Sequence, residues 1–350
     1  MRKIILFILS LLIGLAIFSF VTTEVGKEEI VKAFSLFSWQ GIFLVIFLTA
    51  LIALISVLRL KYVVKKYGKE ISLSETTELW AAGFAVSFLT PVAILGGEVL
   101  IIYVLKKIHR FSWKKSIAAA FVNKVMDASA FFPFLILGLL VFPVLSDYFP
   151  SGKMIFFGSG VTIFFVVLLA FFYIKSFKKE SILEIILKLF GSSKKKVEEK
   201  RGGRIIMNAE KEVLEFFGLK KRTMWIGLFL SFIKYLLILA RIWAIIFFFQ
   251  GGSSILRALS IYGFFNLSSL IPVPAMLGSL EIIESLVFES LEMGANVGVA
   301  FSLMIRSMDL LLVLAGIVFL FKIGMKLAGM KITDFIGRIV SSKDSSFFDE

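Results

Sequence analysis

Eight ionisable side chains stand in stretches otherwise apolar enough to enter lipid: Glu98, Lys124, Asp127, Lys234, Arg241, Glu281, Arg306 and Asp309. A charge in hydrocarbon costs roughly 2.5–3.5 kcal/mol on insertion scales, so such residues mark a cavity, a pathway or an ion pair. Their spacing groups them. Lys124 and Asp127 stand three residues apart, as do Arg306 and Asp309, which puts each pair on one helix face. Lys234 and Arg241 stand seven apart, close to two turns, and share a face as well. The two i,i+3 pairs have two uses open to them: mutual neutralisation that holds the halves of the chain together, or a field that binds a polar group. Lys234 and Arg241 have no acid within their own apolar stretch. A guanidinium's forked donors suit phosphate, so an anionic headgroup is their first expected ligand, and neutralisation of Glu98 or Glu281 the second. The two glutamates have three open uses: carrying protons when burial favours the neutral form, binding a cationic group, or orienting the bases.

The elements that must position these groups are transmembrane helices. Of 350 residues, 59% are hydrophobic and only 18% charged, which excludes an ordinary soluble domain. The net charge of +14 then reflects cytoplasmic loops near anionic lipid rather than nucleic-acid binding. With no cysteine and His109 as the single histidine, neither a thiolate nor a histidine-based metal site is expected. No nucleotide-binding loop is evident, and no cofactor is expected.

A full span needs about 20 apolar residues. Six stretches qualify: 4–22, 40–58, 116–142, 154–175, 223–249 and 296–321. The first is read as a retained span rather than a cleaved signal peptide. Two further stretches, 80–105 and 255–291, are broken in the middle, the first by Pro91, Gly96 and Gly97, the second by Pro272, Pro274 and Gly278. Basic residues place 59–70 (Arg59 included), 106–115 and 176–222 on the cytoplasmic side, and the acidic 284–296 outside. Each broken stretch then begins and ends on one side of the membrane, as a re-entrant hairpin. The expected fold is all-α and integral to the membrane: an inverted repeat with three spans and one re-entrant hairpin per half. The halves are 1–150 and 151–325, with a cytoplasmic linker at 176–222 and a cytoplasmic tail at 326–350. Both termini are cytoplasmic, and the cell membrane is the expected location. Within the linker, 181–190 and 205–221 read as interfacial helices and 191–204 as a flexible segment.

An echo supports the repeat. "LTPVAILGGEVL" stands against "LIPVPAMLGSLEII", and "FVNKVMD" against "LMIRSMD"; the spacing from Glu98 to Asp127 matches that from Glu281 to Asp309 within one residue. Inverted repeats with broken helices bind substrate near the bilayer midplane, and irregular backbone is tolerated there only where it lines a cavity.

In these motifs the chain resembles the flippase-like membrane domain of bacterial lysylphosphatidylglycerol synthases and its stand-alone relatives, over roughly 10–325. Pro91 with Gly96, Gly97 and Glu98 resembles the first signature; Asn123, Lys124 and Asp127 resemble a Glu-Arg-x-x-Asp motif. Pro274, Leu277, Gly278 and Glu281, followed by Arg306, resemble the second. The chain departs from the pattern at Asn123 for Glu, Lys124 for Arg, Ile101 for Arg, and Ala275 and Met276 for two glycines. The resemblance implies movement of a lipid with a polar or anionic headgroup between leaflets, without the synthase's lysine-transfer activity. The protein is expected not to be an enzyme. Two alternatives stand beside this: a secondary transporter of a small solute, and a non-catalytic membrane partner of a lipid-modifying or glycosyl-transfer enzyme. Membrane lipids are the expected partners, and a second copy of the chain or a lipid-modifying enzyme is also admitted.

Overall fold

A computed structural model describes residues 37–68, 70–90, 96–146, 152–189, 194–271 and 273–327, with a few isolated positions outside them. The expected first span, Pro91, Pro272 and most of the tail lie outside the described residues. Helices follow one another along the chain: α1 (Trp39–Tyr67), α2 (Leu73–Leu89), α3 (Gly96–Lys107), α4 (Trp113–Leu145), α5 (Gly152–Lys178), α6 (Ile182–Leu189), α7 (Lys194–Glu198), α8 (Arg201–Phe216), α9 (Arg222–Gln250), α10 (Ile255–Ser268), a 3-10 turn at Pro274–Met276, α11 (Ser279–Ser290) and α12 (Ala295–Leu327). No strand occurs among the described residues. Local chemistry sets several of these limits. The Ser38 hydroxyl caps α1, and Ser72 with Glu75 forms a capping box at the start of α2.

Four helices, α1, α4, α9 and α12, are long and apolar enough to cross a membrane. The shorter two have 29 residues, about 43 Å at the helical rise and more than a bilayer's hydrocarbon. Large apolar side chains such as Phe43, Phe47, Leu140, Leu314 and Val318 stay exposed along them, the surface that lipid would cover. The chain is thus a multi-pass helical membrane protein. The expected span at 154–175 is helical within α5.

The two broken stretches are each a pair of short packed helices, α2 with α3 and α10 with α11. Contacts among the helices fall into reciprocal sets. α1 packs on α9; α2 packs on α12, while α10 packs on α4; α3 packs on α4, while α11 packs on α12. Close backbone crossings make this possible. A Cβ on Gly138 would collide with the Leu259 carbonyl and Gly263, and one on Gly316 with the Ala81 carbonyl. Gly96 and Gly97 do the same for α2 and α3: they sit in the first turn of α3, where the bare Gly97 lies against the Gly83 carbonyl and its N–H donates to Ser87 Oγ at 2.9 Å. Both therefore serve helix packing.

Two expectations about the linker change. Part of the segment expected to be flexible is helical, in α7 and the start of α8. α8, expected at the membrane interface, docks on α4 and buries Met207, Val213, Leu214 and Phe216. Its polar side is tied down as well. The Tyr67 hydroxyl donates to the Glu212 carbonyl at 3.1 Å, and Lys114 pairs with the Glu212 carboxylate at 2.8 Å.

The glycine crossings can be tested directly. Gly138→Ala is expected to cost about 1–3 kcal/mol through overpacking. Gly160→Ala, at a position where a Cβ meets nothing, is expected to be neutral within about 0.5 kcal/mol. Thermal unfolding of the two variants in one detergent measures the difference.

Candidate functional site

A cavity of about 380 Å³ lies between the two helix pairs. Glu98, Lys124, Asp127, Lys234, Arg241 and Asp309 are on its wall, with Arg59, Asn123 and Asn266. The other two expected residues, Glu281 and Arg306, do not line it.

The charges do not pair as their i,i+3 spacing suggests. Lys124 turns from Asp127 to Glu98 of α3, at 3.2 Å. Asp127 is held from two other helices: Arg59 Nη1 of α1 donates to its Oδ1 at 2.5 Å, and Lys234 Nζ of α9 at 2.7 Å. Arg306 turns from Asp309 to Glu281 and forms a two-pronged pair, with Nη2 on Oε2 at 2.9 Å. Asp309 accepts instead from Arg241 Nη1 at 3.1 Å. Lys234 and Arg241 thus have acidic partners on α4 and α12, and neither neutralises Glu98 or Glu281.

Arg59 is the buried residue on the cavity wall that the sequence reading does not single out. It was assigned to a cytoplasmic loop by its neighbouring lysines. In the structure α1 runs on to Tyr67, and Arg59 is 3% exposed. Its guanidinium is fixed on three sides, with Nε on Asn123 Oδ1 at 3.1 Å and Nη1 also on Ser231 Oγ at 3.0 Å. A signal was present. Arg59 and Arg241, Thr49 and Ser231, Lys124 and Arg306, and Asp127 and Asp309 all stand at the same distance along the chain. The contacts obey the same relation: Arg59 reaches Ser231 of the second half, and Arg241 reaches Thr49 Oγ1 of the first at 3.3 Å.

Glu281 and Arg306 build the second bend instead. Arg306 Nη2 donates to the Met276 carbonyl at 3.0 Å, and Glu281 Oε2 accepts from the Gly278 N–H at 2.9 Å. Pro274 opens the 3-10 turn; Ala275 and Met276 follow with positive φ of 55° and 52°, and Gly278 with 77°. Left-handed backbone is costly for residues with a Cβ, so the carbonyl and amide contacts hold a strained turn. Glu284, expected outside the membrane, is fully buried in α11, with neither carboxylate oxygen hydrogen-bonded among the described residues; it does not line the cavity.

A helical membrane protein with a charged cavity between two broken helix pairs is the class that fold and site define. Residues 7–316 match the family described as the lysylphosphatidylglycerol synthase TM region, and the chain belongs to that family. No curated protein matches the chain.

The network predicts unequal costs for removing its members. Asp127→Asn leaves two buried cations facing each other and is expected to cost about 3–5 kcal/mol. Adding Lys234→Met to it should recover part of the loss. Lys124→Gln, on the more exposed pair, should cost about 1 kcal/mol or less. Unfolding midpoints of the purified variants in one detergent test the ranking.

Proposed function

We propose that the protein moves a lipid with a polar or anionic headgroup between membrane leaflets, the headgroup passing through the charged cavity while the acyl chains remain in the bilayer. Membership of the lysylphosphatidylglycerol synthase TM family supports a lipid-related role. The observation that carries the reading is the cavity itself: a charged wall inside a bundle whose outer face is apolar. In this reading the two halves are an inverted repeat of three spans and one re-entrant hairpin each, with both termini cytoplasmic. The reciprocal helix packing and the evenly spaced charge pairs support that arrangement. The protein acts as a translocase in the cell membrane rather than as an enzyme, driven by a gradient or passively.

The wall suggests how a phosphate would be handled. Arg59 is held by Asn123, Asp127 and Ser231 together, so it stays in place. Among the described residues Lys234 has its ion pair with Asp127 alone, and its ammonium lies over the Tyr235 ring at 4.8 Å. Lys234 can therefore swing to an incoming phosphate while Arg59 keeps Asp127 neutralised, and no buried carboxylate is stranded. Arg241 presents a second cation further along the same helix face.

Leaflet exchange of headgroup-labelled lipids in liposomes tests this. The wild-type chain is expected to exceed empty liposomes, and Lys234→Gln with Arg241→Gln to reduce exchange at least about tenfold, the loss of one or two charge-assisted contacts. Unchanged exchange in the folded double variant would overturn the headgroup assignment.

A further inference from the structure

The cavity wall does not balance its own charge. Arg59, Lys124, Lys234 and Arg241 face Glu98, Asp127 and Asp309, which leaves one positive charge in excess among the described residues. Glu281 and Arg306 cancel each other behind the wall. A surplus charge on a largely buried wall favours a counter-charge. The wall also holds unsatisfied polar atoms. Glu98 Oε2 and Arg241 Nε are buried without a hydrogen-bond partner among the described residues. Nearly all buried polar atoms in native proteins are paired, and exceptions at a cavity mark where a ligand or water belongs. One of these atoms donates and the other accepts.

A ligand answering every demand has one net negative charge, an acceptor oxygen for the donor, and a hydrogen-bond donor for Glu98 that brings no positive charge. A hydroxyl meets the last condition and an ammonium does not. We propose that the cavity selects a polyol phosphodiester of net charge −1 over zwitterionic and aminoacylated headgroups, and that Asn123 is the specificity-determining residue. Asn123 accepts from Arg59 Nε through a neutral amide oxygen. A glutamate there would keep the hydrogen bond and erase the surplus charge, and with it the preference for an anion. A zwitterion leaves the surplus uncompensated, and a lysylated phosphodiester, with two ammonium groups against one phosphate, adds to it.

This selectivity rests on lipid translocation for the source of the ligand; a soluble polyol phosphodiester offers the same chemistry. The test therefore has two arms, run on the full chain as wild type, Asn123→Gln and Asn123→Glu. In detergent, binding of glycerophosphoglycerol, glycerophosphoethanolamine and glycerophosphocholine is measured by calorimetry. In liposomes, exchange of phosphatidylglycerol, phosphatidylethanolamine and lysylphosphatidylglycerol is followed. Wild type and Asn123→Gln are expected to favour the glycerol compound about tenfold or more in both arms, as one unmatched charge at a partly buried site implies. Asn123→Glu is expected to lose that preference. Should Asn123→Glu fail to fold, the wild-type ligand series and Asn123→Gln still decide. Equal binding of all three compounds, binding of none by folded protein, or a preference kept in Asn123→Glu overturns the proposal. Selective binding without exchange of any lipid upholds the selectivity, overturns translocation and points to the soluble source. Exchange of all lipids alike leaves translocation standing and overturns the selectivity.

Discussion

The carboxylate of Asp127 accepts from cations on two other helices, Arg59 on α1 and Lys234 on α9, and the site is organised around that contact. Burying three charges together is costly, and the cost is offset only if geometry and secondary hydrogen bonds are good. Here the secondary bonds come from both halves of the chain: Asn123 beside Asp127, and Ser231 on α9. One carboxylate therefore ties α1, α4 and α9 together at the depth where the cavity opens. The helices that carry it approach closely at bare glycines, Gly41 of α1 against Phe248 of α9 and Gly227 of α9 against Met126 of α4.

Arg241, Asp309 and Thr49 repeat the arrangement with the halves exchanged. A hydroxyl from one half supports the arginine of the other in both cases. Both cross-contacts run between α1 and α9, which pack on each other, while α2 and α10 each pack on the long helix of the opposite half. Each buried arginine takes its carboxylate from its own half and a further acceptor, a hydroxyl, from the other. Interleaving is thus a polar requirement as well as an apolar one, and it specifies how the halves register against each other.

Much of this was legible in the residues. The long apolar runs announced α1, α4, α9 and α12, and the Pro-Gly interruptions announced the helix pairs. Intramembrane charge identified six residues on the cavity wall. What was not legible has definite causes. Arg59 was hidden because charge-sidedness rules treat a base at the end of an apolar run as loop, whereas α1 continues two more turns and carries Arg59 within it. The ion-pair partners were not legible because i,i+3 spacing reports which side chains share a face, not which face another helix. Lys124 and Asp127 do share a face, and each finds its partner on another helix, Glu98 on α3 and Lys234 on α9. The docking of α8 was missed because an amphipathic helix buries its apolar side equally well in protein and in lipid; only tertiary contact tells the two apart.

The two Glu–base pairs show how one motif takes on two tasks. Glu98 and Lys124 keep side-chain exposures of 16% and 31% and face the cavity; Glu281 and Arg306, at 0% and 8%, are sealed behind it. The backbone beside them accounts for the difference. At the second bend Ala275 and Met276 occupy left-handed conformations that glycine would adopt without strain, and the turn needs an external hold. An arginine can supply it, because its fork binds a carboxylate with two donors and still reaches a carbonyl; lysine, a point charge on a flexible stem, cannot do both with fixed geometry. Arg306 is so used on Glu281 and Met276, while at the equivalent place in the first half Lys124 holds Glu98 by a single contact and leaves the second carboxylate oxygen free. The choice of base thus divides the labour: the guanidinium braces a bend, and the ammonium leaves an acceptor available on the cavity wall.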